Sequence, residues 1–478
     1  MDQTILFAVL LAAPAAGSIA SLVPKDGVEV VASVTSSAAS VLVSVCLFVL
    51  GAAGAYGPFY SDGLTKIMII TISSVFFTSV VYSSFYVKRI KEPLVRFRWY
   101  YALLDLFAFT MLLAVTVNDL GFVWIAVEAT TVTSALLVAL ERERTSIEAA
   151  WRYTLIVSAG LVSSLLSVIF VYFSQGTLLI SSLTSEPVRA GLLMPLAVGF
   201  ALVGYGTKAG IAPMHAWLPD AHSEAPSPVS AMFSGILLPT SIYALVRTFD
   251  LLQGTASFEA MRYLLIGFGV FTAVLAAVIM GHQRNYKRML AYSSMENMGI
   301  VLVGFSLGGI GAIGAAIQIV AHAFAKSSAF YEAGNILVAF GSKSMAEVQG
   351  VASRLKFSGY LFALSCLAVT GAPPFGVFVG EFMIISQAMS VGNVALVVLL
   401  AAVYIYGFIG LNRQSVLMIF GQRGTALGAS EEQPSQARGR LSENWVSVAV
   451  PLANLIVALA IGVCLSPTLF LAVQALGH

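Results

Sequence analysis

The stretch GYGTKAGIAPMHAWLPDAHSEAPSPVS, Gly204–Ser230, decides how this chain folds. It overlaps the apolar run Leu193–Ala212, and that run contains a single charged residue, Lys208. A lysine at the centre of a membrane helix costs roughly 2.5–3.5 kcal/mol on insertion scales, so its retention indicates a function. Glycines and prolines on both sides weaken the helix, and a broken helix at membrane depth is tolerated only when packed in protein or lining a wet cavity. Charge and interruption together predict an ion or proton path.

The composition indicates an all-α polytopic membrane protein. Charged residues make up 10% of the 478 residues and apolar residues 58%, against about 25% charged residues in an average soluble protein. Run length predicts about fourteen transmembrane helices. They are Thr4–Val23, Val28–Leu50, Leu64–Tyr86, Tyr100–Val117, Leu120–Leu140, Tyr153–Phe173, Leu193–Leu218, Val229–Val246, Leu264–Met280, Leu290–Phe305, Ala312–Phe340, Ser358–Ala388, Val394–Leu411 and Trp445–Leu476.

The lysines and arginines are distributed unequally between the two sides of these spans. With the first residue outside, most of them fall in inner loops, and the outer side keeps Lys66, Arg189, Arg247 and Arg262. The positive-inside rule therefore predicts a multi-pass protein of the inner (plasma) membrane with both termini on the outer side. The polar segment Gly421–Asn444 is then a cytoplasmic linker.

Two interruptions predict an inverted repeat with discontinuous helices. The seventh span breaks near Lys208, and five spans later the twelfth breaks at Thr370–Pro374. An offset of five spans inverts the orientation of a repeat. We therefore expect two inverted five-helix repeats, at residues 99–247 and 248–411. An N-terminal three-helix segment, 1–98, precedes them, and a cytoplasmic linker with a C-terminal helix, 412–478, follows.

Glu128 is the first partner candidate for Lys208. It lies about eight residues into the fifth span, with no cation near it in sequence. An isolated ionised carboxylate there is costly, so Glu128 is either protonated or paired through space. A pair with Lys208 would neutralise both groups and stay switchable, because burial helps each of them lose its charge. The alternative is a helix-packing polar residue that faces water near a boundary.

The eleventh span supplies a second set in IQIVAHAFAKSSAFYEAGN. Gln318, His322 and Lys326 follow each other at intervals of four residues. They line one helical face about 6 Å apart, and Glu332, a secondary candidate for the proton path, lies about two turns further. A histidine beside a desolvated lysine can exchange protons near neutral pH. A core histidine bonded to a carbonyl is the alternative interpretation of His322.

Three more carboxylates occupy apolar runs. Glu381, in APPFGVFVGEFMII, is a third strong candidate for the proton path, and an interfacial carboxylate at a helix end is its alternative. Asp105 and Glu296 are secondary candidates, since each is one charge in an apolar run. For these two, structural and functional roles remain equally open.

The segment after the broken helix contains His215, Asp220, His222 and Glu224. These residue types can bind a metal, but their spacing fits no tetrahedral site and the prolines between them would splay them apart. We predict no metal here. A polar entry funnel on the cytoplasmic side, with His215 and His222 as secondary members of the proton path, is favoured.

Motifs for redox or nucleotide chemistry are missing from the sequence. There is no cysteine cluster, no P-loop and no Gly-x-Gly-x-x-Gly after a strand. Cys46, Cys366 and Cys464 lie far apart in apolar runs, which predicts neither a metal site nor a disulfide. We expect no cofactor and no nucleic-acid partner, and a chain that moves ions while other subunits carry electrons.

Five segments carry a resemblance to a known family. They are WIAVEATTVTSALLVAL, SIEAAWRY, GTKAGIAPMHAWLPDAHSEAPSPVSA, KRMLAYSSMENMGIV and AHAFAKSSAF. They resemble the antiporter-like membrane subunits shared by respiratory complex I, Mrp-type cation/proton antiporters and energy-converting nickel–iron hydrogenases. Within that superfamily the chain is most similar to the hydrogenase-4 component F branch.

The resemblance implies fourteen helices, paired inverted five-helix repeats and a hydrated polar axis through the middle of the bilayer. By motif, Glu128 resembles the fifth-helix glutamate and Lys208 its broken-helix lysine partner. Lys326, with His322, resembles the eleventh-helix lysine. Glu381 resembles the twelfth-helix residue, which is glutamate in some branches and lysine in others.

One position departs from the family pattern. The family often has a lysine or histidine on the eighth helix that bridges the two halves, but in GILLPTSIYALVR the matching places hold Ser234 and Pro239. Water, or a group such as Glu296 in the polar turn Ser293–Asn297, would have to bridge Lys208 and Lys326.

The sequence thus predicts a proton- or sodium-translocating subunit of a hydrogenase-like or complex I-like assembly in the lipid bilayer. Its partners would be other membrane subunits and a peripheral redox arm, linked to ferredoxin or formate. An Mrp-type antiporter subunit without a redox partner is the alternative. A third possibility, a membrane scaffold with a dead ion path, is disfavoured because keeping the buried charges costs insertion energy.

Overall fold

The computed structural model describes residues 3–88, 97–141, 143–189, 191–421 and 443–465. In these ranges the chain is helical apart from its connections and one antiparallel hairpin, β1 Gly54–Tyr56 and β2 Phe59–Ser61. The α-helices are α1 Gln3–Ser21, α2 Val28–Leu50, α3 Gly63–Tyr86, α4 Phe97–Thr116, α5 Leu120–Val138, α6 Arg144–Gln175, α7 Ile180–Ser185, α8 Leu193–Ala209, α9 Leu218–Glu224, α10 Ser227–Met232, α11 Leu238–Asp250, α12 Phe258–Met280, α13 Tyr286–Leu307, α14 Gly309–Phe340, α15 Val351–Arg354, α16 Lys356–Val369, α17 Gly376–Ser390, α18 Val394–Phe420 and α19 Trp445–Ala460.

Eleven helical segments of the described ranges are long and apolar enough to cross a membrane. One of them, Ser227–Asp250, joins α10 and α11 through a π-helical turn, Phe233–Leu237. The other three predicted spans correspond to α13 and to the interrupted segments that contain α8 and α16–α17. The all-α polytopic fold is confirmed. Most of the predicted linker and the end of the fourteenth span fall outside the described residues.

Both predicted interruptions are present. α8 ends at Ala209 and α16 ends at Val369, and each end is followed by a glycine in the left-handed region, Gly210 (φ 77°) and Gly371 (φ 68°). Prolines then prevent the helix from continuing, because they lack the backbone N–H. Each broken helix packs along the segment before it, α8 along α6 and α16–α17 along α14. The two breaks therefore occupy equivalent places in the two halves.

Polar residues extend two helices beyond the spans that hydropathy predicts. α6 begins at Arg144 instead of Tyr153, and α13 begins at Tyr286 instead of Leu290. In α6 the additional turns are stabilised by an i,i+4 ion pair in which Arg152 lies 2.5 Å from Glu148. The apolar-run criterion stops at the first charge, whereas the helix continues beyond it.

An ion pair joins α3 to the end of α11. Arg247 donates to both carboxylate oxygens of Asp62, at 2.5 and 2.6 Å, and Asp62 caps α3 by accepting from the N–H of Thr65 at 2.8 Å. Burial would raise the pKa of Asp62, but the Arg247 guanidinium and the cap hold that pKa below its ordinary value. Arg247, predicted as an outer-side cation, is therefore a buried structural residue.

Candidate functional site

Lys208 lies in the last turn of α8, next to the helix break, and is completely buried. Its ammonium group donates to the carbonyl oxygen of Val127 at 2.8 Å and to the hydroxyl of Thr131 at 2.5 Å. Both acceptors belong to one turn of α5. Gly204, one turn before Lys208, lets α8 pack closely against α6, since a Cβ there would come within 2.5 Å of Ser164.

Glu128 is the neighbour of Lys208 but not its hydrogen-bond partner. One carboxylate oxygen of the half-buried Glu128 accepts from the hydroxyl of Ser158 at 2.6 Å, and the other has no partner within the described residues. The expected Glu128–Lys208 pair is thus an electrostatic contact and not a salt bridge. The reason is geometric, because the lysine reaches the carbonyl of the residue that precedes Glu128.

Lys326 has the same kind of surroundings in the second half. It is completely buried in α14, and its ammonium group donates to the carbonyl oxygen of Leu290 at 2.6 Å and to the hydroxyl of Ser293. A hydroxyl can accept from an ammonium group and can donate to a neutral amine. Each lysine therefore has partners in both of its protonation states.

His322 and Gln318 line the same face of α14 as Lys326, as the spacing predicts. Gln318 donates to the side-chain oxygen of Asn297 at 3.0 Å. Both ring nitrogens of the completely buried His322 lack a partner in the described part of the chain. A carbonyl-bonded core histidine, the alternative interpretation, is therefore not what the structure contains. Buried polar groups of this kind are sites for ordered water.

His222 lies in the interior and not in an entry funnel, so its predicted placement is wrong. Its ring stacks on Phe330 with centroids 5.2 Å apart and meets Phe233 edge-on. The Lys326 ammonium group lies 6.0 Å from the centre of the same Phe330 ring. His222 is therefore buried between the rings of Phe233 and Phe330, close to Lys326.

Other members of the predicted funnel do reach the surface. Asp220 and Glu224 line a cavity of about 180 Å³ together with Thr145, Glu148, Ala149 and Arg152. Asp220 pairs with Arg152 at 3.5 Å and with Arg288, and Glu224 pairs with Lys343 at 3.1 Å. Burial would raise the pKa of Glu224, but the Lys343 ammonium group holds that pKa below its ordinary value.

His215 is half-buried apart from this cavity, with its ring 6.4 Å from that of Tyr292. The structure therefore does not bring the four residues after the broken helix together as metal ligands.

In the segment Ser227–Asp250, which corresponds to the eighth predicted span, a hydrogen bond between two hydroxyls links the two halves. Ser234, in the π-helical turn, lies 2.6 Å from Ser294 of α13, and the next residue back along α13, Ser293, bonds Lys326. Glu296 does not bridge Lys208 and Lys326. It lies two residues beyond Ser294, which is about 200° around the helix, and its carboxylate packs against Gly407 of α18.

Glu296 is instead near both Lys326 and Glu381. Within the described residues it interacts electrostatically with these two groups and with Tyr404. Glu381 is buried in α17 and its carboxylate folds back against Gly371 in the break before that helix. The glycine leaves the space that the carboxylate occupies. The order of charges in the second half is therefore Lys326, Glu296, Glu381.

The other two secondary candidates, Glu332 and Asp105, do not belong to the series Lys326, Glu296, Glu381. Glu332 is completely buried two turns beyond Lys326, and it accepts from Asn335 at 2.8 Å. Asn335 in turn donates to the Ser358 hydroxyl at 3.2 Å. Asp105 faces α1 and α2.

Comparison with known proteins agrees with this geometry. Residues 117–406 match the family described as NADH:quinone oxidoreductase/Mrp antiporter, transmembrane. The chain belongs to this family and is an antiporter-like membrane subunit. A hydrogenase-4 component F homolog of Methylacidiphilum infernorum is 31% identical over 348 residues, covering 70% of this chain and 73% of that protein.

One more distant relative is longer than this chain. Hydrogenase-4 component B of Escherichia coli is 27% identical, and the match covers 71% of this chain but 52% of that protein. The fold is shared with a chain of the archaeal membrane-bound sulfane sulfur reductase (TM-score 0.87, 22% identity, 100% of this chain and 97% of that chain). It is also shared with a chain of an Mrp complex from a Dietzia species (TM-score 0.84, 20% identity, 99% of this chain and 96% of that chain).

Proposed function

We propose that this chain translocates protons as one membrane subunit of a multi-subunit redox complex of the hydrogenase or complex I type. The proposal rests on one observation: Lys208 and Lys326 have equivalent surroundings. Each is completely buried, and each donates to one carbonyl and one hydroxyl of a neighbouring helix. Such sites can hold and release a proton without leaving a buried group unsatisfied.

The proposed path runs through both halves, residues 99–247 and 248–411. Glu128 and Lys208 serve the first half, and Lys326, Glu296 and Glu381 serve the second, with His322 beside Lys326. Between the halves the path crosses the Ser234–Ser294 contact, where water is needed because neither side chain titrates. Redox energy released in another subunit would drive the protonation changes, since the sequence contains no redox motif of its own.

The composition of the purified complex tests this proposal against the Mrp-type alternative, which the Dietzia likeness supports. We expect the tagged chain, isolated from its native membrane in mild detergent, to bring with it subunits that hold iron–sulfur centres or a nickel–iron site. Reductant should then drive ion uptake by proteoliposomes that contain the complex. Isolation of a complex that exchanges cations for protons and holds no redox centre would support the Mrp reading instead.

We propose that the chain lies in the plasma membrane with both termini on the outer side. The motivation is the bias of lysine and arginine toward one set of loops. A single cysteine placed within residues 421–444, in a chain whose Cys46, Cys366 and Cys464 are replaced, should be protected from an impermeant thiol reagent in intact cells. Rapid labelling in intact cells would reverse the orientation.

A further inference from the structure

Tyr404 of α18 has a buried hydroxyl that no described residue binds. The residue as a whole is partly exposed, but its hydroxyl oxygen is buried and has no hydrogen-bond partner in the described part of the chain. Tyr404 lies about 15 Å from the start of α18, near the middle of a hydrocarbon core about 30 Å thick. Tyrosines that face lipid are typical of the membrane–water interface, where the hydroxyl meets water. The Tyr404 hydroxyl points into the protein instead.

Two buried carboxylates are neighbours of this hydroxyl. Tyr404 interacts electrostatically with Glu381 and Glu296, and these two groups interact with each other. Gly407, one turn further along α18, provides the space for the Glu296 carboxylate, because a Cβ there would overlap one of its oxygens. Residues three apart on a helix share a face. Tyr404 and the Glu296 carboxylate therefore lie on the same side of α18.

The break between α16 and α17 holds the other carboxylate next to α18. The Glu381 carboxylate lies against Gly371, where a Cβ would overlap it. The residue before that glycine, Thr370, accepts a hydrogen bond from the side chain of Asn412 at 2.9 Å. Asn412 belongs to α18, so this bond fixes α18 to the break. The same break therefore positions both the Glu381 carboxylate and the helix that contains Tyr404.

Neither carboxylate is satisfied by a side chain or by the backbone. Glu296 and Glu381 are buried, yet within the described residues neither accepts a hydrogen bond. Glu332, by contrast, accepts from Asn335 at 2.8 Å. Buried polar groups without a protein partner are commonly satisfied by ordered water, which needs two to four polar partners. A tyrosine hydroxyl and two carboxyl groups provide three, and they include both donors and acceptors.

We propose that Tyr404 is a positioning residue of the proton path, whose hydroxyl holds an ordered water between Glu296 and Glu381. The inference rests on the proposed function, because it requires that protons use these two carboxylates. The Tyr404 hydroxyl donates to the water and keeps its own proton. The water accepts the proton of the Glu296 carboxylic acid and gives one of its own protons to the Glu381 carboxylate. One proton moves, the water is unchanged, and no hydronium or hydroxide ion remains in the membrane.

Tyr404→Phe tests this role, and Tyr406→Phe is the matched control. Each change removes one hydroxyl and keeps the ring, but Tyr406, two residues further along α18, is 49% exposed. Reductant-driven proton uptake by proteoliposomes that contain the purified complex should fall about tenfold in Tyr404→Phe, less than the roughly 10²–10⁴-fold contribution of a group that transfers the proton itself. Tyr406→Phe should match the wild type. Wild-type uptake in Tyr404→Phe would overturn the role of Tyr404, whereas no uptake by the wild type would contradict the proposed function and this role with it.

Infrared spectroscopy of the same complexes at acidic pH separates positioning of a water from a packing role. The C=O stretching band of the protonated Glu381 carboxyl is identified by its absence in Glu381→Gln. A carboxyl group that loses a hydrogen bond has a stiffer C=O bond, so the band should move to higher wavenumber in Tyr404→Phe. It should stay in place in Tyr406→Phe. Reduced proton uptake in Tyr404→Phe with an unshifted band would show that the ring position alone matters, and it would contradict the assignment.

Discussion

Replacement of Lys208 by alanine is expected to abolish ion translocation while electron transfer by the assembled complex continues, at least in part. The change removes the ammonium group that donates to both Val127 and Thr131 at the break of α8. General acid–base groups contribute about 10²–10⁴-fold to the steps they assist, so ion uptake should fall by about a hundredfold or more. Lys208→Arg should not restore it, because arginine stays charged and cannot release a proton. Reductant-driven ion uptake by inverted membrane vesicles measures the effect.

Lys66→Ala is the matched control for this experiment. Lys66 is also buried and also donates to a carbonyl oxygen, that of Gly51 at 2.5 Å. It lies at the start of α3, next to the hairpin, and takes no part in the proposed path. This variant should retain translocation. Undiminished uptake in Lys208→Ala would remove Lys208 from the mechanism.

Lys326→Ala should have an effect of similar size for a different reason. The alanine removes the cation beside Glu296, and with it the group that would pass a proton between the first half and Glu296. Transfer from the first half to Glu381 should therefore stop, again with a loss of about a hundredfold. The membrane potential generated during turnover, followed with a voltage-sensitive dye, reports it.

Lys343→Ala provides the comparison for the second lysine. Lys343 is a partly exposed surface residue, and its ion pair with Glu224 at 3.1 Å lies outside the path. Surface ion pairs contribute about 1 kcal/mol or less, so this variant should behave like the wild type. A potential in Lys326→Ala equal to that in Lys343→Ala would show that ions do not pass Lys326.

The spans and their interruptions were predictable because their signals are local. Run length gives a transmembrane helix, and a lysine among glycines and prolines marks a break, as at Lys208 in the seventh span. The twelfth span broke as predicted at Thr370–Pro374 for the same reason. The hairpin Gly54–Ser61 was missed, since two three-residue strands are too short to produce a pattern.

The partners of the buried charges were less predictable because they depend on how neighbouring helices are rotated. Lys208 bonds a backbone carbonyl, and no sequence pattern identifies which carbonyl a lysine will reach. The sequence predicted the polar turn of α13, but not that its residues lie on different faces of the helix. Ser294 bonds Ser234, whereas Glu296 packs against α18. Likewise, the burial of His222 follows from Phe233 and Phe330, which lie far from each other in the chain.

The ratio of ions translocated to electrons transferred, measured on the purified complex in proteoliposomes, tests the central claim most directly. The claim is that ions cross the membrane by way of the two buried lysines. Wild type and Lys66→Ala should give the same ratio. Lys208→Ala and Lys326→Ala should each transfer electrons with a ratio near zero. An unchanged ratio in either lysine variant would show that the ions take another route through the complex.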